Sequence, residues 1–361
     1  MLSLEQLAAA PAPERARASC CAFRGADAWC DVSATRAWAA GLEAGAIAAF
    51  ARTYGEGGLA TNRFSELSFE GVEDEAGFIA LAHALDFGSG FRRALHARHG
   101  GCGAWKVVRA GLVRLGAAQS PPRAAAASLS ALTLPAVTDL FELDAPDGSL
   151  APLAAQILCV CHEIGRALAA RGARTLGAFV LDAVLPVAPA RTGSAARLVD
   201  ALVDAFPVTF DDAYVAADAE GRPSRVCLYK KAQLVASELH GRFGRESPAF
   251  AFHDFGRLTA FVDNVVVAMA RQAGAVACTR AVAADIEAGR PLHCGGGPEV
   301  ALRAAALHAV EVAVETINTG APPGAAPMVP AELCNWLWGY LGKTPGGKAY
   351  ERHAVPGTLF Y

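Results

Sequence analysis

The stretch FHDFGRLTAFVDNVVVAMARQAG, residues 252–274, is almost wholly apolar, yet an ionisable carboxylate, Asp263, stands at its middle. A charge buried without partners is costly, so the way this stretch folds decides what Asp263 is for. Read as one helix over 254–273, it puts Leu258, Val262, Val265, Val266 and Met269 on a single apolar face and turns Asp263 away into solvent. A second reading makes Asp254 the cap of a short helix ending near Val262. Asp263 then caps a second helix, with Gly274 as its C′ residue. In that case Asp263 lies at a helix junction between apolar faces, where a cleft can form. Backbone N–H groups at a helix start favour the anion. An anion is what stabilises an oxocarbenium-like transition state or activates water. The residues by themselves leave both readings open.

Around this stretch helical patterns dominate. Ser33 opens a run to about Tyr54, and Asp74–Ala84, Gly103–Leu115 and Leu150–Ala170 follow. Ala195–Ala205, Tyr229–Phe243, Pro298–Asn318 and Pro330–Leu341 read the same way. RVCLYK at 225–230, after the turn-like AEGRPS, is the best strand signal. APPGAAP at 321–327 links two late helices. No internal repeat is found. The expected class is mainly α, one multi-helical domain over 1–361 with at most a short β-hairpin.

Composition narrows the functions. The 361 residues are 53% hydrophobic and 19% charged, with a mean hydropathy of +0.28, much of it from alanine. No run of 18 or more uncharged apolar residues occurs. The best candidate, LGAFVLDAVLPVAPA, contains Asp182 and two prolines, so no membrane span is expected. The N-terminus carries Glu5 and Glu14 and lacks the charged start and apolar block of a secretory signal. A net charge of −3 without a Lys/Arg stripe argues against wrapping duplex nucleic acid. A small anion needs only a few local donors. The ten cysteines form no CxxC pair, which argues against zinc and for reduced thiols in a cytoplasmic protein. GYLGKT at 339–344 resembles a phosphate loop, but Leu337 stands where glycine is required. GEGGLA at 55–60 resembles a dinucleotide fingerprint but follows a helix rather than a strand. Neither GxSxG nor HExxH is present.

Six blocks in order carry a resemblance. They are ALDFGSGFRRALH (84–96), FPVTFDDAY (206–214), YKKAQLVASELHGRF (229–243), FHDFGRLTAFVDNVV (252–266), PEVALRAAALHAVE (298–311) and LCNWLWGYLGK (333–343), followed by the terminal HAVPGTLFY. Together they resemble the queuosine salvage protein family over roughly residues 80–361, with 1–79 matching weakly. The resemblance implies a helical fold similar to the helix-hairpin-helix DNA glycosylases. It implies hydrolysis of queuosine 5′-monophosphate to queuine and ribose 5-phosphate, in support of tRNA modification. The partner is then a small nucleotide, and no cofactor or metal is implied.

Carried over residue by residue, the resemblance makes Asp263 the catalytic carboxylate. Lys231 becomes a donor to the phosphate or a neighbour of that carboxylate; the alternative is a solvated helix start. The pair Lys230–Lys231 is unusual in a chain with five lysines against 27 arginines. Phe87, Gly88 and Ser89 are expected in the base pocket, or else as a helix–helix turn with Phe87 in the core. Cys334, His353 and Tyr361 are also placed on the substrate. Glu299, Arg303 and Glu311, spaced by four and eight, are expected to form an internal ion pair.

Two departures stand out. Val267 replaces a family proline four residues after the catalytic aspartate, and Cys334 replaces an acid. The change at Cys334 keeps open a binding protein without turnover, or a nucleosidase with a shifted substrate. A glycosylase acting on duplex DNA is disfavoured by the charge balance. Oligomeric state leaves no signal.

Overall fold

The computed structural model describes residues 9–56, 64–185 and 191–361. The first eight residues, part of GEGGLA and the last five residues of LGAFVLDAVLPVAPA lie outside the described residues. The chain is mainly α-helical and divides into two compact units. One comprises Met1–Tyr54, Asp212–Gln233 and Asp254–Gly357; the other comprises Gly55–Asp211, Leu234–His253 and Thr358–Tyr361.

In the first unit the organising element is the helix Gly297–Gly320, 24 residues long with Pro298 in its first turn. It is apolar nearly all round, the pattern of a helix buried on every side. Helices Ala12–Ala22, Val32–Ala40, Asn264–Gln272 and Pro330–Gly339 pack on it, as does the strand Ala28–Cys30. That strand pairs antiparallel with Val276–Cys278, Trp29 opposite Ala277. The hairpin Ala213–Ala217/Pro223–Cys227 is the second two-stranded sheet, with Val215 opposite Arg225.

Local chemistry moves several expected boundaries. The run from Ser33 to Tyr54 is two helices, Val32–Ala40 and Ala44–Glu56, broken at Gly41. Asp31 rather than Ser33 is the cap, its carboxylate accepting from Ala34 N at 2.9 Å. The strand signal RVCLYK ends at Cys227, because Tyr229 takes a left-handed φ of 50° and the helix Lys230–Phe243 starts directly after it.

In the second unit, helix Val72–Ala84 crosses Leu176–Val184. The backbones touch: a Cβ added to Gly77 would lie 2.5 Å from Gly177 N. Helix Ala151–Ala170 packs on Ala126–Ser130 and Leu134–Phe141. By length and apolar composition alone it would reach across a bilayer. Here it buries Leu153, Ile157, Val160, Ile164 and Leu168 against its neighbours. Its Glu163 accepts from Val208 N at 2.7 Å.

Candidate active site

Within 252–274 the chain does not form one helix. A single 3-10 turn, Phe255–Arg257, is followed by extended chain, and the helix proper is Asn264–Gln272. Asp263 is its cap: Oδ1 accepts from Val265 N at 2.8 Å and Val266 N at 2.9 Å. Gly274, at φ 74°, follows the last turn, and its N–H returns to Arg271 O. The reading that put Asp263 in solvent is therefore corrected: the residue is 6% exposed. The helix starts without a proline at Val267, because the Asp263 side chain and the Val267 N–H to Asp263 O bond close its first turn. Among the described residues, Oδ2 of Asp263 accepts no hydrogen bond, which leaves one carboxylate oxygen uncommitted.

Among the described residues the segment before Asp263 has no ladder partner, and side chains satisfy it instead. Gln233, in the first turn of the helix Lys230–Phe243, binds Thr259 through the Thr259 N–H at 2.8 Å and hydroxyl at 2.8 Å. The Phe261 N–H donates to Cys334 Sγ at 3.2 Å. The Val262 carbonyl accepts from Arg303 Nε at 3.2 Å and Nη2 at 3.1 Å.

Arg303 is fully buried and bears on two carboxylates. It meets Asp212 at 2.9 and 2.5 Å, and Glu299, one turn earlier, at 3.2 Å. Burial alone would favour losing its proton, but the two carboxylates reverse this and hold the guanidinium charged. Asp212 reaches further through its backbone. Its carbonyl accepts from Leu228 N at 2.8 Å and Tyr229 N at 3.4 Å. These bonds stabilise the turn in which Tyr229 is left-handed, a conformation that costs a non-glycine residue roughly 1–2 kcal/mol. The turn sends the chain into the helix that begins with Lys230 and Lys231.

Both lysines are buried, so the solvated helix start that sequence allowed is not what forms. Glu311, expected beside Arg303, instead meets Arg17 at 2.9 Å. His353 is buried with its carbonyl accepting from Asn264 Nδ2 at 3.1 Å. Its imidazole is pushed down to about 3, first by burial and then by the charges of Arg303 and Arg271, so it is neutral. Burial and the nearby Asp263 push the Cys334 thiol up to about 12, so it too is neutral.

Asp263, Lys231, Cys334, His353, Glu299 and Arg303 thus belong to the first unit. Phe87, Gly88, Ser89 and Tyr361 belong to the second. There Phe87 is 2% exposed, and Gly88 has φ 101°, which a side chain rarely adopts. Ser89 opens the 3-10 turn Ser89–Phe91, and the Gly88 N–H donates to Tyr361 O at 3.2 Å. Asp212, Gln233, Thr259 and Asn264 were not singled out from sequence. The signals were present: two adjacent acids inside the aromatic FPVTFDDAY, and polar residues flanking an apolar segment that needed partners. Among the described residues no group of three His, Cys, Asp or Glu side chains could hold a metal.

Such a site can hold one anion rigidly beside buried cations, with little water. A family model described as Queuosine salvage protein matches residues 101–361. The chain is also 32% identical over 245 residues to the Queuosine 5'-phosphate N-glycosylase/hydrolase of Sphaerobacter thermophilus, covering 67% of this chain and 68% of that one. The matched family span holds Asp212, Lys231, Asp263, Arg303, Cys334 and His353, while the ALDFGSGFRRALH block at 84–96 falls outside it. On that span, the chain belongs to the queuosine salvage protein family.

Proposed function

We propose that this chain is an N-glycosyl hydrolase that cleaves queuosine 5′-monophosphate to queuine and ribose 5-phosphate. The observation that carries the reading is Asp263: a buried carboxylate fixed by its own helix through one oxygen, with the other oxygen uncommitted. Breaking the bond between C1′ and the base nitrogen leaves positive charge on the sugar. A fixed anion beneath that charge lowers the barrier, because it needs no reorganisation as the charge develops. Water supplies the oxygen that bonds to C1′, one of its protons goes to the departing base, and the other stays on that oxygen as the C1′ hydroxyl.

Lys231 fits the dianionic phosphate end or the neighbourhood of the carboxylate; its burial in a chain poor in lysine supports either role. His353, held neutral, adds no charge and can offer a ring nitrogen to the substrate. Base contacts by Phe87, Gly88 and Ser89, and a terminal contact by Tyr361, rest on the family resemblance. Phe87→Ala tests the first, with a rise in KM expected.

The deciding experiment is release of queuine from queuosine 5′-monophosphate by the purified chain, with Asp263→Asn in parallel. A loss of at least about a hundredfold in kcat is expected, the usual scale for removing a group that stabilises developing charge. Turnover equal in both proteins would overturn the role of Asp263. Binding without turnover in both would leave a nucleotide-binding protein.

A further inference from the structure

Cys334 meets the segment that leads into Asp263 through the main chain. Its sulfur accepts the Phe261 N–H at 3.2 Å, two residues before the carboxylate. That amide lies in a segment with no neighbouring strand among the described residues. Three side chains from three elements serve the segment in order. Gln233, from the helix of the lysines, takes Thr259. Cys334, from the helix Pro330–Gly339, takes Phe261. Arg303, from the long helix Gly297–Gly320, takes Val262. The next residue is Asp263, whose Oδ1 is already fixed by its own helix. The chain is therefore pinned on both sides of the carboxylate, and Oδ2 has little freedom to wander.

We infer that Cys334 is a positioning residue: its neutral sulfur holds the Phe261 amide so that Asp263 keeps its place beneath the sugar. The inference rests on the hydrolase reading above for its catalytic consequence. It assigns Cys334 a role through the backbone rather than through substrate. A thiol suits the task because burial keeps it uncharged beside Asp263. It can accept an N–H without setting a second negative charge against the carboxylate. Unlike the hold at Arg303, the one at Cys334 can be removed without unpairing a buried charge. Removing Arg303 would strand Asp212 and Glu299, whereas Cys334→Ala deletes one acceptor in a site 1% exposed.

The test uses Cys334→Ala and Cys334→Ser in the full chain with two readouts. The first is steady-state hydrolysis of queuosine 5′-monophosphate. Cys334→Ala should lower kcat at least about tenfold with KM within about twofold, as expected when a reacting group is misplaced but binding persists. Cys334→Ser, which restores an acceptor, should recover most of the loss. The second readout is amide hydrogen exchange. Phe261 should exchange at least about fivefold faster in the alanine variant, the scale of one lost hydrogen bond, and the Asp263-capped amides of Val265 and Val266 should follow. Serine should restore both.

A serine variant as slow as alanine would assign the effect to packing and overturn the inference. A rise in KM with kcat kept would do the same, in favour of direct substrate contact. If the wild type releases no base, the hydrolase reading fails by itself. Exchange then decides: a response at Phe261, Val265 and Val266 that serine reverses upholds the hold on Asp263, and its absence overturns it.

Discussion

The two halves of the helix Gly297–Gly320 carry what looks in sequence like one repeated device. Glu299, Arg303 and Glu311 share a face at spacings of four and eight. In the structure they belong to different regimes. Near the N-terminal end, Arg303, Glu299 and Asp212 are fully excluded from water, and Arg303 also binds the Val262 carbonyl. Further along, Glu311 meets Arg17, whose side chain is 32% exposed. Helical spacing fixes which residues are neighbours on one helix. It does not fix which partner another segment brings, and the partner determines whether an ion pair organises the chain around it. At the buried end the organised object is the segment leading into Asp263.

Breaking the buried end should have the largest effect. Arg303→Ala leaves two carboxylates and one carbonyl without their cation, a loss of about 3–5 kcal/mol for a buried pair. Chemical denaturation should show a correspondingly lower midpoint, or a chain that does not fold at all. If the loss is under about 1 kcal/mol, the trio is not the hub of this region.

A smaller effect belongs to His353, and its sign follows from linkage. Its folded value is pushed down to about 3 from 6.5, so between those values the unfolded chain binds a proton that the folded chain refuses. Stability contributed by the neutral imidazole is full above about pH 6.5 and is lost as pH falls toward 3, by about 1.4 kcal/mol per pH unit. His240 and His308 are lowered in the same direction by burial. The comparison must therefore be with His353→Gln rather than with neutral pH alone. The wild type should lose stability faster than the variant between pH 6 and 4.5; parallel curves would place the imidazole in solvent.

How much of this was legible in the sequence follows the range of the interactions. The helices with a continuous 3.6-residue pattern, such as Ala195–Ala205 and the long helix, were readable, and so was a strand at the AEGRPS turn, although it runs Pro223–Cys227 rather than to 230. The cap at Asp263 with Gly274 at the far end was readable as one of two alternatives, because cap and C′ residues act within a single helix. What decided between them was not local. Gln233, Cys334 and Arg303 lie 26, 73 and 41 residues from the atoms they hold. No periodicity encodes such distances. The pairing of Ala28–Cys30 with Val276–Cys278 was missed for the same reason, since each strand is only three residues long. Asp212 was visible as a residue but not as a partner, because its role exists only once the long helix is packed.

The exposed end of the comparison gives the smallest and most discriminating prediction. Burial raises the Glu311 carboxyl above its ordinary value of 4.5, and Arg17 offsets this only in part. The folded chain therefore holds a proton on Glu311 that the unfolded chain has already released. Stability from this group is full below about pH 4.5 and declines as pH rises through the folded value, the opposite sense to His353. Arg17 is also engaged elsewhere, donating to Arg257 O at 3.1 Å and Leu258 O at 3.3 Å, so Glu311 is not its sole anchor. Glu311→Gln keeps the shape and an acceptor while deleting the charge. It should change stability by less than about 1 kcal/mol at pH 7, and it should remove the decline that sets in above about pH 4.5. A loss comparable to that of Arg303→Ala would mean that Glu311 acts as part of the same buried trio, and the contrast between the two ends of the helix would collapse.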